Sequence, residues 1–141
     1  MAITNRIHDL EMMTCLIVDD DKFSRTFIKN ALYQIGIKTI KEATTAKEAV
    51  ELLNSYKIDI ILLDQQMPDK SGIELVQALR AEGFQMPILI ISGYDDFAYV
   101  RSALKLGVTD YLLKPIKAQE LNQQLQRCIE ILNQEEIVRP K

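Results

Sequence analysis

The sequence predicts an α/β fold, a doubly wound parallel sheet of five strands alternating with helices. Three observations predict it. From Thr14 onward, short apolar runs alternate with longer stretches of helical period, and five such rounds can be counted. The middle runs are apolar throughout, as strands buried on both faces must be, whereas the second and fifth are poorer in apolar residues, as suits sheet edges. Gly36 and Gly107 follow helical stretches as stop signals.

Taken in order, the strands are expected at Thr14 to Val18, Ile37 to Lys41, Ile58 to Leu63, Pro87 to Ile91 and Thr109 to Leu113. The helical stretches between them carry apolar residues three and four apart, each making one stripe toward a core. The first stripe is Phe27, Ile28, Ala31, Leu32 and Ile35, the second Ala49, Leu52 and Leu53, and the third Leu75, Val76 and Leu79. Phe97, Val100 and Leu104 follow in the fourth, then Leu121, Leu125, Cys128, Ile129 and Leu132 in the last. Ser71 and Asp95 stand where N-caps belong. Residues 1–12 show no sustained period and are expected to form a flexible extension, 13–133 the domain, and 134–141 a polar, fraying tail.

Composition narrows the class of function. With 141 residues, 48% hydrophobic and 26% charged, and only 5 Gly and 4 Pro, the chain is a globular protein of one-domain size. Its 17 Lys and Arg against 20 Asp and Glu give a net charge of −3, which provides no field for nucleic acid or an anionic membrane and points to protein partners. No run reaches the ~18 apolar residues of a membrane span, and Met1 to Leu10 lacks a secretory apolar core, so a cytoplasmic location is expected. Cys15 lies in an apolar strand run and Cys128 on the apolar face of a helix, which reads as two buried thiols.

The acidic residues are placed where this fold makes sites. A doubly wound sheet binds ligands outside the carboxyl ends of its strands where the winding reverses, which for strand order 2-1-3-4-5 lies between the first and third strands. Asp19, Asp20 and Asp21 follow the first strand, and Asp64 follows the third. Two carboxylates about 4 Å apart repel by roughly 4 kcal/mol at an effective dielectric near 20, so several in one crevice call for a cation. Oxygen ligands open to water suit Mg²⁺, often completed by phosphate oxygens. A lone aspartate after a strand is more simply a helix cap. Against that reading for the whole set, the fourth strand ends at Ser92 and the fifth at Lys114. A carboxylate can attack phosphorus while a metal, an ammonium and a hydroxyl hold the phosphoryl oxygens.

Four segments carry a family resemblance: CLIVDDD at Cys15 to Asp21, DIILLDQQMPDKSG at Asp59 to Gly72, ILIISGYDD at Ile88 to Asp96, and GVTDYLLKP at Gly107 to Pro115. Over roughly Met13 to Asn133 the chain resembles a response-regulator receiver domain of two-component signalling, which implies a flavodoxin-like (βα)5 sheet. The resemblance implies that Asp64 accepts a phosphoryl group from a histidine kinase or histidine phosphotransfer protein. It further implies Mg²⁺ held by Asp20, Asp64 and the Gln66 backbone carbonyl, with Asp19 acting mainly through bound water. Asp21 falls outside that set and reads as a solvated helix-start residue. Lys114 is expected on the phosphoryl group, Pro115 in a cis peptide, and Ser92 and Tyr111 as the switch pair. Tyr94 is expected to shield the phosphoryl group from water.

The partner surface implied by relatives is the fourth helix, which Tyr99, Arg101 and Lys105 decorate, with the fifth strand and fifth helix, and phosphorylation-dependent dimerisation through it is expected. SGYDDFAYVRSALKLGVTDYLLKP most resembles receivers joined to helix-turn-helix transcription factors, so either a stand-alone regulator or a piece of a larger one is expected. Two other readings compete: a phosphatase or phosphotransferase on a similar sheet, for which no general acid is visible, and a scaffold that never takes phosphate. Loss of Asp64 or Lys114 marks the latter, and both are present.

Overall fold

The computed structural model describes residues 10–93 and 102–138, with side chains described through residue 134. Strands β1 (Thr14–Val18), β2 (Thr39–Ala43), β3 (Ile60–Asp64), β4 (Ile88–Ser92) and β5 (Asp110–Leu113) form one parallel sheet in the order β2-β1-β3-β4-β5. Helices α1 (Lys22–Gln34), α2 (Ala46–Ser55), α3 (Gly72–Ala81) and α5 (Ala118–Val138) connect and follow them, with α4 described only at 102–105. This is the predicted doubly wound, flavodoxin-like arrangement.

Alternation along each strand divides the core in two. Leu16, Val18, Ile61, Leu63, Ile88 and Ile90 face α2, α3 and Ala103 of α4. Cys15, Ile17, Ile60, Leu62, Leu89 and Ile91 face α1 and α5. β3 and β4 are buried along their whole lengths, while β2 and β5 are partly exposed, as the apolar content of the runs predicts for centre and edge. Each fully buried Leu or Ile contributes roughly 1.5–3 kcal/mol, so the central strands fix the sheet and the site inherits their rigidity.

The helix starts are specified locally. Asp21 caps α1, accepting from the Phe23 and Ser24 amides, which fits its reading as a helix-start residue. Thr45 caps α2, and Ser71 with Glu74 forms a reciprocal capping box on α3. Gly36 and Gly107 end helical segments at φ 104° and 82°, a conformation that costs side-chain-bearing residues but not glycine.

Several expectations are corrected. β2 begins at Thr39 rather than Ile37, and β3 at Ile60 rather than Ile58. Ile37 and Ile58 are buried in the connections just before their strands, so they read as strand when only burial is seen. Phe27 is 40% exposed and Leu104 55% exposed, because Ile28 and Ala103 beside them take the core-facing positions. The extension placed at 1–12 ends in a helical turn at 10–12, with Leu10 packed on the α1/α5 core and Glu11 paired to Lys38 at 3.6 Å. The tail placed at 134–141 begins inside α5, which runs to Val138. Asp95, Phe97 and Val100 lie outside the described residues, as do Tyr94, Tyr99 and Arg101. Cys15 and Cys128 are free and buried in one core, where burial pushes both thiols well above their usual range and keeps them unreactive.

Candidate functional site

Strand register brings the site together. Val18 pairs with Leu63, so Asp19, one residue past the end of β1, stands beside Asp64 at the end of β3. Asp64 pairs with Ile91 and Ser92 with Leu113, which sets Ser92 and Lys114 on the same rim. One oxygen from each of Asp19, Asp20 and Asp64 lies within 4.8 Å of the others. Lys114 Nζ donates to Asp64 Oδ2 at 3.3 Å and approaches Asp19 Oδ2 at 4.0 Å.

The electrostatics are those of an incompletely neutralised acid cluster. Asp19 and Asp64 are buried, whereas Asp20 is exposed. Burial pushes the Asp19 carboxyl up to about 6, against the hydrogen bond from the Asp21 amide at 2.9 Å, and the Asp64 charge raises it further. Burial also raises Asp64, opposed by Lys114. One ammonium thus faces two buried carboxylates and a third at the rim.

The donor set fits a small hard cation. Asp19 Oδ2 is buried with no hydrogen-bond partner, which is a costly state for a carboxylate oxygen unless a cation takes it up. Three carboxylate oxygens within 4.8 Å of one another are hard donors of the kind a small divalent cation such as Mg²⁺ takes.

The remaining predicted residues are placed as follows. Ser92 is buried at the end of β4, with its carbonyl accepting from the Lys114 amide at 2.8 Å. Tyr111 is partly buried and packs against the α2–α4 core. Gln66 is exposed on the loop after β3, and its amide donates to Asp64 Oδ1 at 3.4 Å. The Lys114–Pro115 peptide is cis, as the resemblance implies. An open cleft of about 380 Å³ lies beside the acids, lined by Gln65, Gln66, Met67, Asp69, Lys70 and Ser92 among others.

Three contributors escape a reading of the sequence. Gln65 is buried, and its side-chain Oε1 accepts from the Ile73 amide at 3.0 Å, tying the loop after Asp64 to the start of α3. Asp69 accepts from the Ala46 and Lys47 amides at 3.0 Å each, and these bonds hold its carboxyl below the usual range. Arg25 donates to the Asp19 carbonyl at 2.8 Å and to Glu42 at 3.0 Å. Their partners lie from 6 to 23 positions away, beyond the turn each residue belongs to, and no local spacing signals them.

This geometry accords with what the chain is similar to. Residues 15–126 match the family model of the response regulator receiver domain, and the chain belongs to that family. A chemotaxis protein CheY homolog of Campylobacter jejuni is 37% identical over 117 residues, covering 81% of this chain and 90% of that protein. Regulator of RpoS from Escherichia coli is 36% identical over 102 residues, but the chain spans only 30% of that protein's length and is matched over 72% of its own. Among solved structures, the receiver domain of Francisella response regulator 1452 superposes with a TM-score of 0.78 at 33% identity, covering 85% of this chain and 98% of that one. A CheY-like receiver domain protein from Methanospirillum hungatei shares the fold with a TM-score of 0.80 at 24% identity. Receiver domains are signalling modules that take input from kinases and pass it to downstream targets. Among the described residues no helix is long and apolar enough to cross a membrane.

Proposed function

We propose that this receiver domain takes a phosphoryl group on Asp64 from a histidine kinase or histidine phosphotransfer protein, with Mg²⁺ held by Asp19, Asp20, Asp64 and the Gln66 carbonyl. The observation that carries this reading is the three-carboxylate cluster, one buried oxygen of which has no hydrogen-bond partner, faced by Lys114. Bound Mg²⁺ supplies charge neutralisation for the acids and the phosphoryl oxygens. An Asp64 oxygen forms the new bond to phosphorus as the donor's P–N bond breaks, the electron pair staying on the imidazole nitrogen, which then takes a proton from water. Lys114, already 3.3 Å from Asp64, holds a phosphoryl oxygen, and the Ser92 hydroxyl another.

The change at Ser92 is relayed to Tyr111, two positions into β5, and from there to protein contacts on the face of α4, β5 and α5. No separate substrate is turned over: the domain assists its own phosphorylation and dephosphorylation in the cytoplasm. A scaffold that never takes phosphate is the rival reading, and retention of Asp64, Lys114 and the acid pair speaks against it.

Intact mass after incubation with Mg²⁺ and a small acyl phosphate decides between them. The expected result is one phosphoryl adduct on wild type and none on Asp64→Asn or in EDTA. An unmodified wild type sinks the proposal.

A further inference from the structure

We propose that Asp69 is a positioning residue of the metal site, a tether that fixes the loop carrying Gln66 by binding it to the first turn of α2. The inference rests on the reading of the acid cluster as a Mg²⁺ centre and goes beyond it by naming what holds the backbone ligand in place.

The loop between β3 and α3 is anchored firmly at its root. The Gln65 amide donates to the Ile91 carbonyl at 2.8 Å, and the Gln65 carbonyl accepts from Gly72 at 2.9 Å. The Gln65 side chain accepts from Ile73 at 3.0 Å, closing residues 65–73 into a loop with both ends on one residue. These bonds locate Gln65 but leave the arc beyond it, with exposed Gln66, Pro68, Asp69 and Lys70, to be held by other means. Pro68 has no amide hydrogen to contribute.

Asp69 supplies the hold. Its two carboxylate oxygens each accept an amide hydrogen at 3.0 Å, one from Ala46 and one from Lys47, residues 23 and 22 positions earlier in the chain. Both amides belong to the first turn of α2, where the chain's own groups leave donors unfilled and the helix dipole favours a carboxylate. Thr45 serves the third amide of that turn, Glu48, at 3.1 Å, so the division of labour is clear: Thr45 caps within the helix and Asp69 caps from outside. The anchor itself is tied to the sheet, because α2 leaves β2 where the Ala43 carbonyl accepts from the Asp19 amide at 3.0 Å. The loop with Gln66 and the loop with Asp19 and Asp20 are therefore referred to the same frame, the β2–α2 connection.

A metal ligand supplied by a backbone carbonyl has no side-chain freedom with which to correct its position, so its affinity depends on how the loop is held. The test is Mg²⁺ binding by calorimetry on the full chain. Supporting outer-shell groups typically change metal affinity 10- to 100-fold, and for a tether one step removed the expected loss in Asp69→Ala is roughly tenfold. Thr45→Ala is the control, since it weakens the same helix start without touching the loop; its Mg²⁺ affinity is expected to stay within about twofold of wild type. In the metal-free protein, amide exchange across residues 66–70 is expected to speed up in Asp69→Ala and not in Thr45→Ala. At roughly 1 M salt, where the screening length is about 3 Å, the affinity ratio between Asp69→Ala and wild type is expected to persist. Unchanged affinity in Asp69→Ala, an equal loss in Thr45→Ala, or a ratio abolished by salt overturns the tether alone. A wild type that binds no Mg²⁺ overturns the proposed function and the tether with it.

Discussion

Asp19 holds the least satisfied carboxylate among the described residues of the site, and its titration gives that state a measurable form. One oxygen is bonded to the Asp21 amide and the other has no hydrogen-bond partner, while burial lifts the carboxyl to about 6. An unfolded Asp titrates near 3.9, so between about pH 4 and pH 6 the folded chain keeps a proton that the unfolded chain has released. Stability must then fall as pH rises through that window and level off above it. At about 1.36 kcal/mol per unit, the shift corresponds to no more than roughly 3 kcal/mol, with Asp64, also raised, adding in the same direction. Urea midpoints of the metal-free protein are therefore expected to decline across this window. Asp19→Asn is expected to flatten the decline and to be the more stable protein at pH 7. Mg²⁺, which needs the carboxylates deprotonated, is expected to reverse the slope for wild type. A wild-type slope retained in Asp19→Asn would show that Asp19 is not its source.

At the scale of elements, Gly72 shows how closely the site loop and α3 are packed. A Cβ there meets the Asp64 carbonyl oxygen at 2.9 Å and the Gln65 Cα at 3.0 Å, both backbone atoms that cannot swing aside. Alanine ordinarily gains up to about 1 kcal/mol over glycine in a helix, whereas overpacking costs roughly 1–3 kcal/mol. The contact wins, so Gly72→Ala is expected to lower the urea midpoint by the equivalent of about 1–2 kcal/mol and to weaken Mg²⁺ binding, since the displaced backbone carries Asp64. A raised midpoint would mean that the loop yields freely. The same loop marks the limit of what sequence makes visible. Asp19, Asp64, Ser92 and Lys114 were legible because each follows an apolar run, and strand ends in this topology converge. Gln65 and Asp69 were not, since a polar side chain bonded to a backbone amide outside its own turn looks like any surface residue in the chain. Ile37 and Ile58 misled for a related reason: they are buried, but in connections, where apolar character no longer implies a strand.

For the molecule as a whole, the sheet separates the tasks of folding and binding. Two cores, one under α1 and α5 and one under α2 to α4, clamp the central strands, and the acids stand at the strand ends beyond them. Apolar content marked β2 and β5 as edges, whereas the order of the strands between them came with the doubly wound fold that the family resemblance implies. If the site rides on a rigid frame, damage to the core away from it should leave binding unchanged. Leu125 on α5 is fully buried, and Leu125→Ala is expected to cost about 2–5 kcal/mol. Mg²⁺ at 100 times its dissociation constant is expected to stabilise wild type by about 2.7 kcal/mol through binding the folded state alone. Sites separated in this way add to within roughly 0.5 kcal/mol, so the metal increment is expected to be the same in Leu125→Ala, and EDTA is expected to remove that increment and nothing else. Urea unfolding of the two proteins, with and without metal, makes the cycle. An increment cut to half in Leu125→Ala would show that the α1/α5 core and the acid crevice deform together, and the crevice would then have to be read as part of a mobile unit rather than as a fixture of the sheet.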